Sequence, residues 1–267
     1  MPSHARAALP AAALLSLLLG TSAAQPPDAK TSTQSRIETK TYQFKEAGKE
    51  MEYALFVPST YDKRKKTPLV VALHGLGSNP QQIMRYRGLT DLAEKYGYVV
   101  AAPMGYNERG WYGARTVMKK KTGDPANMAE LSEKDVMNVL EVVTKAYTID
   151  PDRVYLMGHS MGGGGTFHLA MKYPDVWAAL APIAPAVFRP VSDLEKVKHL
   201  PVILVQGDKD PLVRVEMVRP WAEQMKKLGM TYEYVEVAGG DHVRVAFDTL
   251  PQVFAFFDKQ TRKRKEN

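Results

Sequence analysis

The 267-residue chain contains no cysteine. It therefore has no disulfide framework, no thiolate nucleophile and no thiol to which a lipid could be attached. The sequence also has no internal repeat. Disulfide-rich small domains, cysteine-dependent enzymes and repeat proteins are thereby excluded, and the mature protein has to be stabilised by its hydrophobic core alone.

Long apolar runs are scarce, and the one near the start is short. Arg6 precedes the largely apolar residues 7–19, and the small residues Ser22, Ala23 and Ala24 follow with the spacing that signal peptidase requires. The run is shorter than the roughly 20 apolar residues that cross a bilayer. We predict a cleaved signal peptide at residues 1–24, with a membrane anchor as the alternative. The mature protein is then secreted or periplasmic, without stable membrane insertion.

The remaining composition is ordinary for a globular protein, with 45% hydrophobic and 24% charged residues. The polar residues 25–39 predict a flexible leader, and residues 40–260 one α/β domain. The net charge of +7 owes much to a basic tail at residues 261–267. Such a tail is typically solvated, and attraction of an anionic polymer or a membrane surface is the alternative. The body mixes both signs, and we predict no nucleic-acid partner.

An alternation of short apolar runs and helical patterns predicts the fold class. The runs are rich in Val and Leu and lie at residues 53–57, 69–73, 98–102, 154–157, 178–183, 202–205 and 232–237. Helical spacing follows at residues 80–95, 132–147, 163–173, 215–228 and 243–257, with Ser132 and Asp135 resembling a capping box. Strands alternating with helices pair in parallel and are covered on both faces. The sequence predicts a doubly wound, mostly parallel sheet, whose ligands bind beyond the carboxyl ends of the strands.

A candidate nucleophile follows the fourth of these runs. Residues 158–162 read Gly-His-Ser-Met-Gly and open a helix. A strand that turns at once into a helix holds its middle residue in a strained conformation, and only small neighbours leave room for that turn. The turn exposes the Ser160 hydroxyl. It also sets the N–H of Met161 at a helix N-terminus, where it can stabilise an oxyanion.

A serine hydroxyl needs a histidine base, because it is a poor nucleophile at neutral pH. His242 follows the last apolar run, so it lies at the carboxyl edge of the predicted sheet. The other histidines occupy the signal peptide, glycine-bounded turns, a predicted helix and a polar connector: His4, His74, His159, His168 and His199. We therefore predict His242 as the base, and a surface loop histidine is the alternative.

The acid that orients the base comes between serine and histidine in this fold. Asp208 and Asp210 both follow the run 202–205. Asp210 precedes Pro211, which fixes the turn, whereas Asp208 is suited to stabilising the turn through its own backbone. Asp210 is favoured.

A second oxyanion donor is expected after the run 69–73, where glycines surround Leu76 and allow close backbone approach. The N–H of Leu76 is the candidate partner of the Met161 N–H. The alternative is a glycine-rich turn without a catalytic role.

Together these residues resemble the α/β-hydrolase superfamily. The closer similarity is to secreted feruloyl esterases, acetyl xylan esterases and polyhydroxybutyrate depolymerase-like proteins, some of them labelled as peptidases. The matching stretches are residues 53–59, 73–75, 147–150, 153–155, 158–165 and 207–213. The resemblance implies Ser160, Asp210 and His242 as the catalytic triad, with Leu76 and Met161 as oxyanion donors.

The resemblance also bears on substrate binding. Trp111 and Tyr112 are similar to an aromatic pair that lines the acyl site of several relatives, and would suit an aryl or sugar-bearing ester. The alternative is that Trp111 anchors a long loop. One departure is that His159 stands where the nearest esterases often carry Leu, and another is that the cysteines of many secreted polymer depolymerases are missing.

The predicted reaction is hydrolysis of a small-molecule or polymer-linked ester through an acyl-enzyme, without metal or organic cofactor. A peptidase with the same triad is one alternative. A module that binds anionic polymers through the basic tail is another, of a different class.

The triad hypothesis predicts a pH dependence. His242 accepts a proton only when neutral, and a free imidazole has a pKa of about 6.5, so activity should fall below about pH 6. The measurement is the rate of ester hydrolysis between pH 5 and 9, together with labelling of Ser160 by an organophosphonate. A rate that stays flat across this range would count against the assignment.

Overall fold

The computed structural model describes residues 32–115 and 122–262. Within this part of the chain, eight strands form one sheet. The strands are β1 (Glu38–Phe44), β2 (Lys49–Phe56), β3 (Thr67–Leu73), β4 (Val99–Pro103), β5 (Ile149–His159), β6 (Ala179–Ile183), β7 (Val202–Gly207) and β8 (Tyr232–Val237). All seven predicted strands are present, and β1 is an addition.

Seven helices connect and cover these strands in the described residues. They are α1 (Pro80–Met84), α2 (Leu89–Tyr96), α3 (Met128–Ala146), α4 (Met161–Lys172), α5 (Val215–Lys227), α6 (Val245–Asp248) and α7 (Leu250–Phe257). Short 3-10 turns at Thr33–Arg36, Lys45–Ala47, Trp111–Gly113 and Val191–Val197 complete the regular structure. In the described part of the chain, no helix combines the length and apolar character that crossing a membrane requires.

The strand order in the sheet is β1-β2-β4-β3-β5-β6-β7-β8. The pairs from β4 onward are parallel, whereas β2 is antiparallel to both β1 and β4. This arrangement confirms the predicted doubly wound, mostly parallel sheet. The central strand β3 is buried along its whole length, because helices cover it from both sides.

Two hydrophobic cores lie on opposite faces of the sheet. Alternate residues of β3 point into them, with Leu69, Val71 and Leu73 in one core and Val70 and Ala72 in the other. Helices α3, α4 and α5 cover the first core, and α1, α2, α6 and α7 cover the second. This layering brings the carboxyl ends of β3, β5, β7 and β8 to one edge of the sheet.

The start of the domain differs from the prediction. The predicted leader extends to residue 39, but the chain is already ordered from Thr33 and β1 begins at Glu38. Polar side chains hold this segment to α2: Thr33 bonds Asp91, and the guanidinium of Arg36 pairs with Glu94. Such contacts between distant residues have no periodic signal in the sequence. The predicted signal peptide, residues 25–31 of the leader and residues 263–267 of the basic tail lie outside the described residues.

Helix boundaries also differ at three places. The predicted helix 80–95 is divided, because Gly88 between α1 and α2 has a φ of 89°. The predicted helix 243–257 is divided at Thr249, just before Pro251. The predicted capping box is wrong, because α3 begins at Met128, a full turn before Ser132. Ser132 and Asp135 instead turn inward, where they bond to the loop that follows β4.

Candidate active site

Ser160 occupies a sharp turn between β5 and α4. Its backbone has φ 58° and ψ −114°, a conformation that is strained for any residue with a side chain. The turn is possible only because its neighbours are glycines. A Cβ on Gly158 would lie 2.2 Å from the carbonyl oxygen of Gly162, and a Cβ on Gly162 would lie 2.1 Å from that of Leu73. The spacing predicted for the nucleophile therefore has a direct steric cause.

Backbone hydrogen bonds hold this strained turn in place. The N–H of Ser160 donates to the carbonyl of Ile183 over 2.9 Å, and its own carbonyl accepts from Gly164 at 3.1 Å and Ala186 at 3.0 Å. The side chain is half-buried, and its hydroxyl forms no hydrogen bond with another described residue. A hydroxyl held on a fixed backbone without a competing partner can be aligned by substrate and base together.

Asp210 and His242 come together although 32 positions separate them in the chain. The Nδ1 of His242 lies 2.6 Å from Oδ2 of Asp210. The second carboxylate oxygen, Oδ1, accepts from the N–H groups of Leu212 at 2.8 Å and Val213 at 2.9 Å. The side chain of Asp210 is fully buried, and Gln206 Nε2 also approaches its Oδ2 at 3.2 Å. A buried carboxylate with this many donors is fixed in orientation and orients the imidazole in turn.

The structure separates the two candidate acids. Asp208 turns away from His242 and accepts a hydrogen bond from the N–H of Gly239 over 2.7 Å. This contact joins the loop after β7 to the loop after β8 and so supports the loop that carries His242. Asp208 thus has the predicted structural part, but its side chain bonds to the backbone of the neighbouring loop and not to the backbone of its own turn.

The two predicted oxyanion donors flank the serine. A Cβ on Gly75 would lie 3.5 Å from the Cβ of Ser160, so the loop after β3 packs against the nucleophile turn. Met161 is the first residue of α4, and Leu76 lies in the loop with its side chain 58% exposed. Neither N–H donates to a loop or cap carbonyl of the described residues. Both are available to a developing oxyanion.

Trp111 and Tyr112 lie in different environments. Tyr112 is completely buried, with its hydroxyl 3.3 Å from the carbonyl of His74. A Cβ on Gly165 would approach its ring to 2.7 Å, so the ring fills the space that this glycine leaves. Tyr112 therefore anchors the loop and does not present a face to a ligand. Trp111 is only partly buried, and its ring meets the exposed ring of Phe188 edge-on at 5.3 Å.

Buried polar groups of α3 hold the loop that carries this aromatic pair. Ser132 Oγ accepts from the N–H of Tyr112 at 2.9 Å, and Asp135 accepts from the N–H of Gly105 and from the hydroxyl of Tyr42, both at 2.6 Å. Burial raises the pKa of Asp135 to about 6. Trp111 and Tyr112 both have positive φ, 60° and 51°, so these anchors maintain a strained backbone.

Glu133 binds three side chains beneath the same loop. It accepts from His168 at 2.8 Å, from Lys172 at 2.6 Å and from Tyr173 at 2.7 Å. Burial alone would raise the pKa of Glu133, but these hydrogen bonds lower it to about 2. Within residues 32–115 and 122–262, no three His, Asp or Glu side chains form a group that could hold a metal.

Sequence reasoning did not identify His159 and Gln206 as parts of the site. Both are buried polar residues at the carboxyl ends of strands, His159 in β5 and Gln206 in β7. Buried polar side chains require hydrogen-bond partners. A polar residue at the end of an apolar run was therefore the signal in the sequence that could have indicated these two residues. Burial, and then the nearby His242, lower the pKa of His159 to about 4.

The eight-stranded, mostly parallel sheet with helices on both faces has the α/β-hydrolase fold. Residues 45–256 match the Esterase family, described as "Putative esterase". The chain belongs to this family.

Two relatives support this placement. The chain is 31% identical over 148 residues to the protein named "Putative esterase NocK" of Nocardia uniformis subsp. tsuyamanensis, covering 54% of this chain and 40% of that protein. It is 29% identical over 175 residues to the bifunctional acetylxylan esterase/xylanase XynS20E of Neocallimastix patriciarum, covering 65% of this chain and 23% of that protein. The chain thus spans less than half the length of either relative.

A solved structure shares the fold. The ferulic acid esterase of Anaeromyces mucronatus superposes with a TM-score of 0.65 and 18% identity, covering 84% of this chain and 90% of that one. At this identity the similarity establishes the fold alone.

Substitution of the two aspartates tests their different contacts. Asp210→Asn should lower kcat by about 10³- to 10⁴-fold, because an amide in this position does not hold the imidazole in the required tautomer. Asp208→Asn should lower kcat by less than about threefold, since it alters only the contact to Gly239. Steady-state kinetics on a p-nitrophenyl ester, with circular dichroism to verify folding, measures both. Equal losses in the two variants would contradict the assignment of the acid.

Proposed function

We propose that this member of the Esterase family is a carboxylic ester hydrolase that acts through a Ser160–His242–Asp210 triad and an acyl-enzyme intermediate. The observation that carries the proposal is the 2.6 Å contact between His242 Nδ1 and the buried Asp210 carboxylate, at the sheet edge where the Ser160 turn lies. The unpaired N–H groups of Leu76 and Met161 beside the serine support it further.

In the proposed reaction, Ser160 Oγ attacks the ester carbonyl while His242 Nε2 takes the hydroxyl proton. Asp210 stabilises the resulting imidazolium through Nδ1. The N–H groups of Leu76 and Met161 bind the oxyanion, and the intermediate collapses as His242 protonates the departing alcohol. Water then attacks the acyl-enzyme with His242 again as base, and Ser160 regains its proton when the acid leaves.

The proposed substrates are aryl, acetyl or polymer-linked esters. Trp111 and the half-exposed Phe188 support this choice, because their rings offer an apolar surface where the loops after β4 and β6 meet. One relative is named as an acetylxylan esterase/xylanase and one structural neighbour as a ferulic acid esterase. Polyhydroxybutyrate-type polyesters are included among the proposed polymer-linked substrates.

A substrate panel tests this function. Wild type and Ser160→Ala are assayed on p-nitrophenyl esters of increasing acyl length, methyl ferulate, acetylated xylan and the matched anilide of one acyl group. We expect the wild type to hydrolyse the short-chain and aryl esters, and Ser160→Ala to lose at least about 10³-fold in kcat. Ser192→Ala is the matched control, because Ser192 is exposed in the 3-10 turn after β6.

The panel also separates the alternatives. Faster hydrolysis of the anilide than of the matched ester would favour a peptidase with the same triad. Full activity in Ser160→Ala would contradict the proposed nucleophile.

We further propose that the chain is exported and that residues 1–24 are removed. The proposal rests on the basic, apolar and small-residue segments of the sequence alone, since these residues lie outside the described structure. On expression in a secreting bacterial host, mass spectrometry should find Gln25 as the first residue. Ala24→Arg should block processing, whereas Ala23→Arg should not, because signal peptidase requires small side chains at the first and third positions before the cut. Processing of Ala24→Arg at an unchanged rate would refute the predicted site.

A further inference from the structure

His159 lies buried between two residues that are distant in the sequence. Its Nε2 is 2.7 Å from the carbonyl oxygen of His242, and its Nδ1 is 2.8 Å from the hydroxyl of Tyr86. The ring is packed against that of His242, with 4.8 Å between the ring centroids, and against that of Tyr86 at 5.8 Å. Only 5% of the residue is exposed.

The chemistry of these partners fixes the direction of both hydrogen bonds. A carbonyl oxygen can only accept a hydrogen bond. His159 Nε2 therefore carries a hydrogen and donates a hydrogen bond to the carbonyl oxygen of His242. In the neutral ring, Nδ1 is then an acceptor, and the Tyr86 hydroxyl donates to it. Burial raises the pKa of Tyr86 to about 12, so its hydroxyl stays protonated and can donate this hydrogen bond. Tyr86 thereby selects the tautomer that bonds His242.

The bond links the side chain of His159 to the main chain of His242, and the separation of these two segments matters for the proposed reaction. His159 precedes Ser160 directly, and its partner is the main chain of His242 itself. Other restraints on this loop act on its neighbours: Lys209 N–H donates to Gly240 O at 3.0 Å, and Asp241 Oδ1 accepts from Val243 and Arg244. The Asp210 contact acts on the imidazole of His242, whereas the His159 contact acts on its main chain.

We propose that His159 is a positioning residue that sets the distance between the nucleophile and the base, with Tyr86 fixing its tautomer. The inference rests on the proposed function, because it requires His242 to be the base for Ser160.

His159 has to remain neutral to do this beside a base that becomes an imidazolium. The titratable groups that face it are Tyr86 and His242, with Asp210 behind His242. Its pKa of about 4 keeps the ring uncharged across the working pH range, so it does not repel the protonated His242.

Kinetics of the full chain on p-nitrophenyl acetate tests the proposal with His159→Leu, His159→Gln, Tyr86→Phe and the double variant Tyr86→Phe with His159→Leu. His159→Leu should lower kcat about tenfold with KM changed less than about twofold, because the lost bond misplaces the base without altering the binding surface. His159→Gln should stay within about threefold of wild type, since its amide can donate from nearly the position of Nε2. Tyr86→Phe, which keeps the ring packing on Phe247, should lower kcat about threefold. It should have no further effect in the His159→Leu background.

One matched control and the comparison of the variants make the test decisive. His199→Leu is a matched substitution of an exposed histidine at the opposite edge of the sheet and should leave kcat unchanged. A wild-type kcat in His159→Leu would overturn the proposal, and so would equal losses in His159→Leu and His159→Gln, which would indicate packing alone. If His159→Leu does not fold, the other two single variants decide. The expected loss of about threefold in kcat in Tyr86→Phe, with His159→Gln within about threefold of wild type, supports the proposal, and an unchanged kcat in Tyr86→Phe overturns it. Retained activity in Ser160→Ala or His242→Ala would instead refute the proposed triad.

Discussion

The candidate active site depends on the close approach of two backbones at Gly162 and Leu73. There is no room for a Cβ at 2.1 Å from a carbonyl oxygen, so only glycine lets α4 begin directly against β3. Beside that approach Ser160 has its strained conformation, and backbone bonds to Ile183 and Ala186 keep it there. The proposed nucleophile is consequently held by the sheet itself.

Around this fixed point, polar side chains hold loops that have no covalent restraint. Asp210 receives donors from its own turn, Asp208 links the two loops after β7 and β8, and Asp135 binds the loop after β4. Such bonds are directional, and leaving the buried carboxylates of Asp210 and Asp135 unpaired would be costly. In a chain without cysteine, they take the part that disulfides have in many secreted proteins.

The contact between His159 and His242 belongs to this set and has the most direct connection with the chemistry. It ties the residue beside the proposed nucleophile to the main chain of the proposed base, while the Asp210 contact acts on the side chain. The two restraints are complementary, because one sets where the loop lies and the other sets how the imidazole is turned. Membership of the Esterase family supports the class of reaction proposed for the chain, and contacts of this kind show how its own residues are arranged for it.

The sequence by itself determined the fold class, seven of the eight strands and the turn that carries Ser160. The reason is that the spacing of apolar residues and of glycines is a local property of the chain. Tertiary structure alone decided which aspartate meets His242, that Tyr112 is buried, and that Ser132 and Asp135 anchor a loop instead of capping a helix. It also decided the contacts of His159, whose partners are 73 and 83 positions away. The physical reason is that hydrogen bonds between distant residues depend on how strands are ordered in the sheet, and no local pattern records that order.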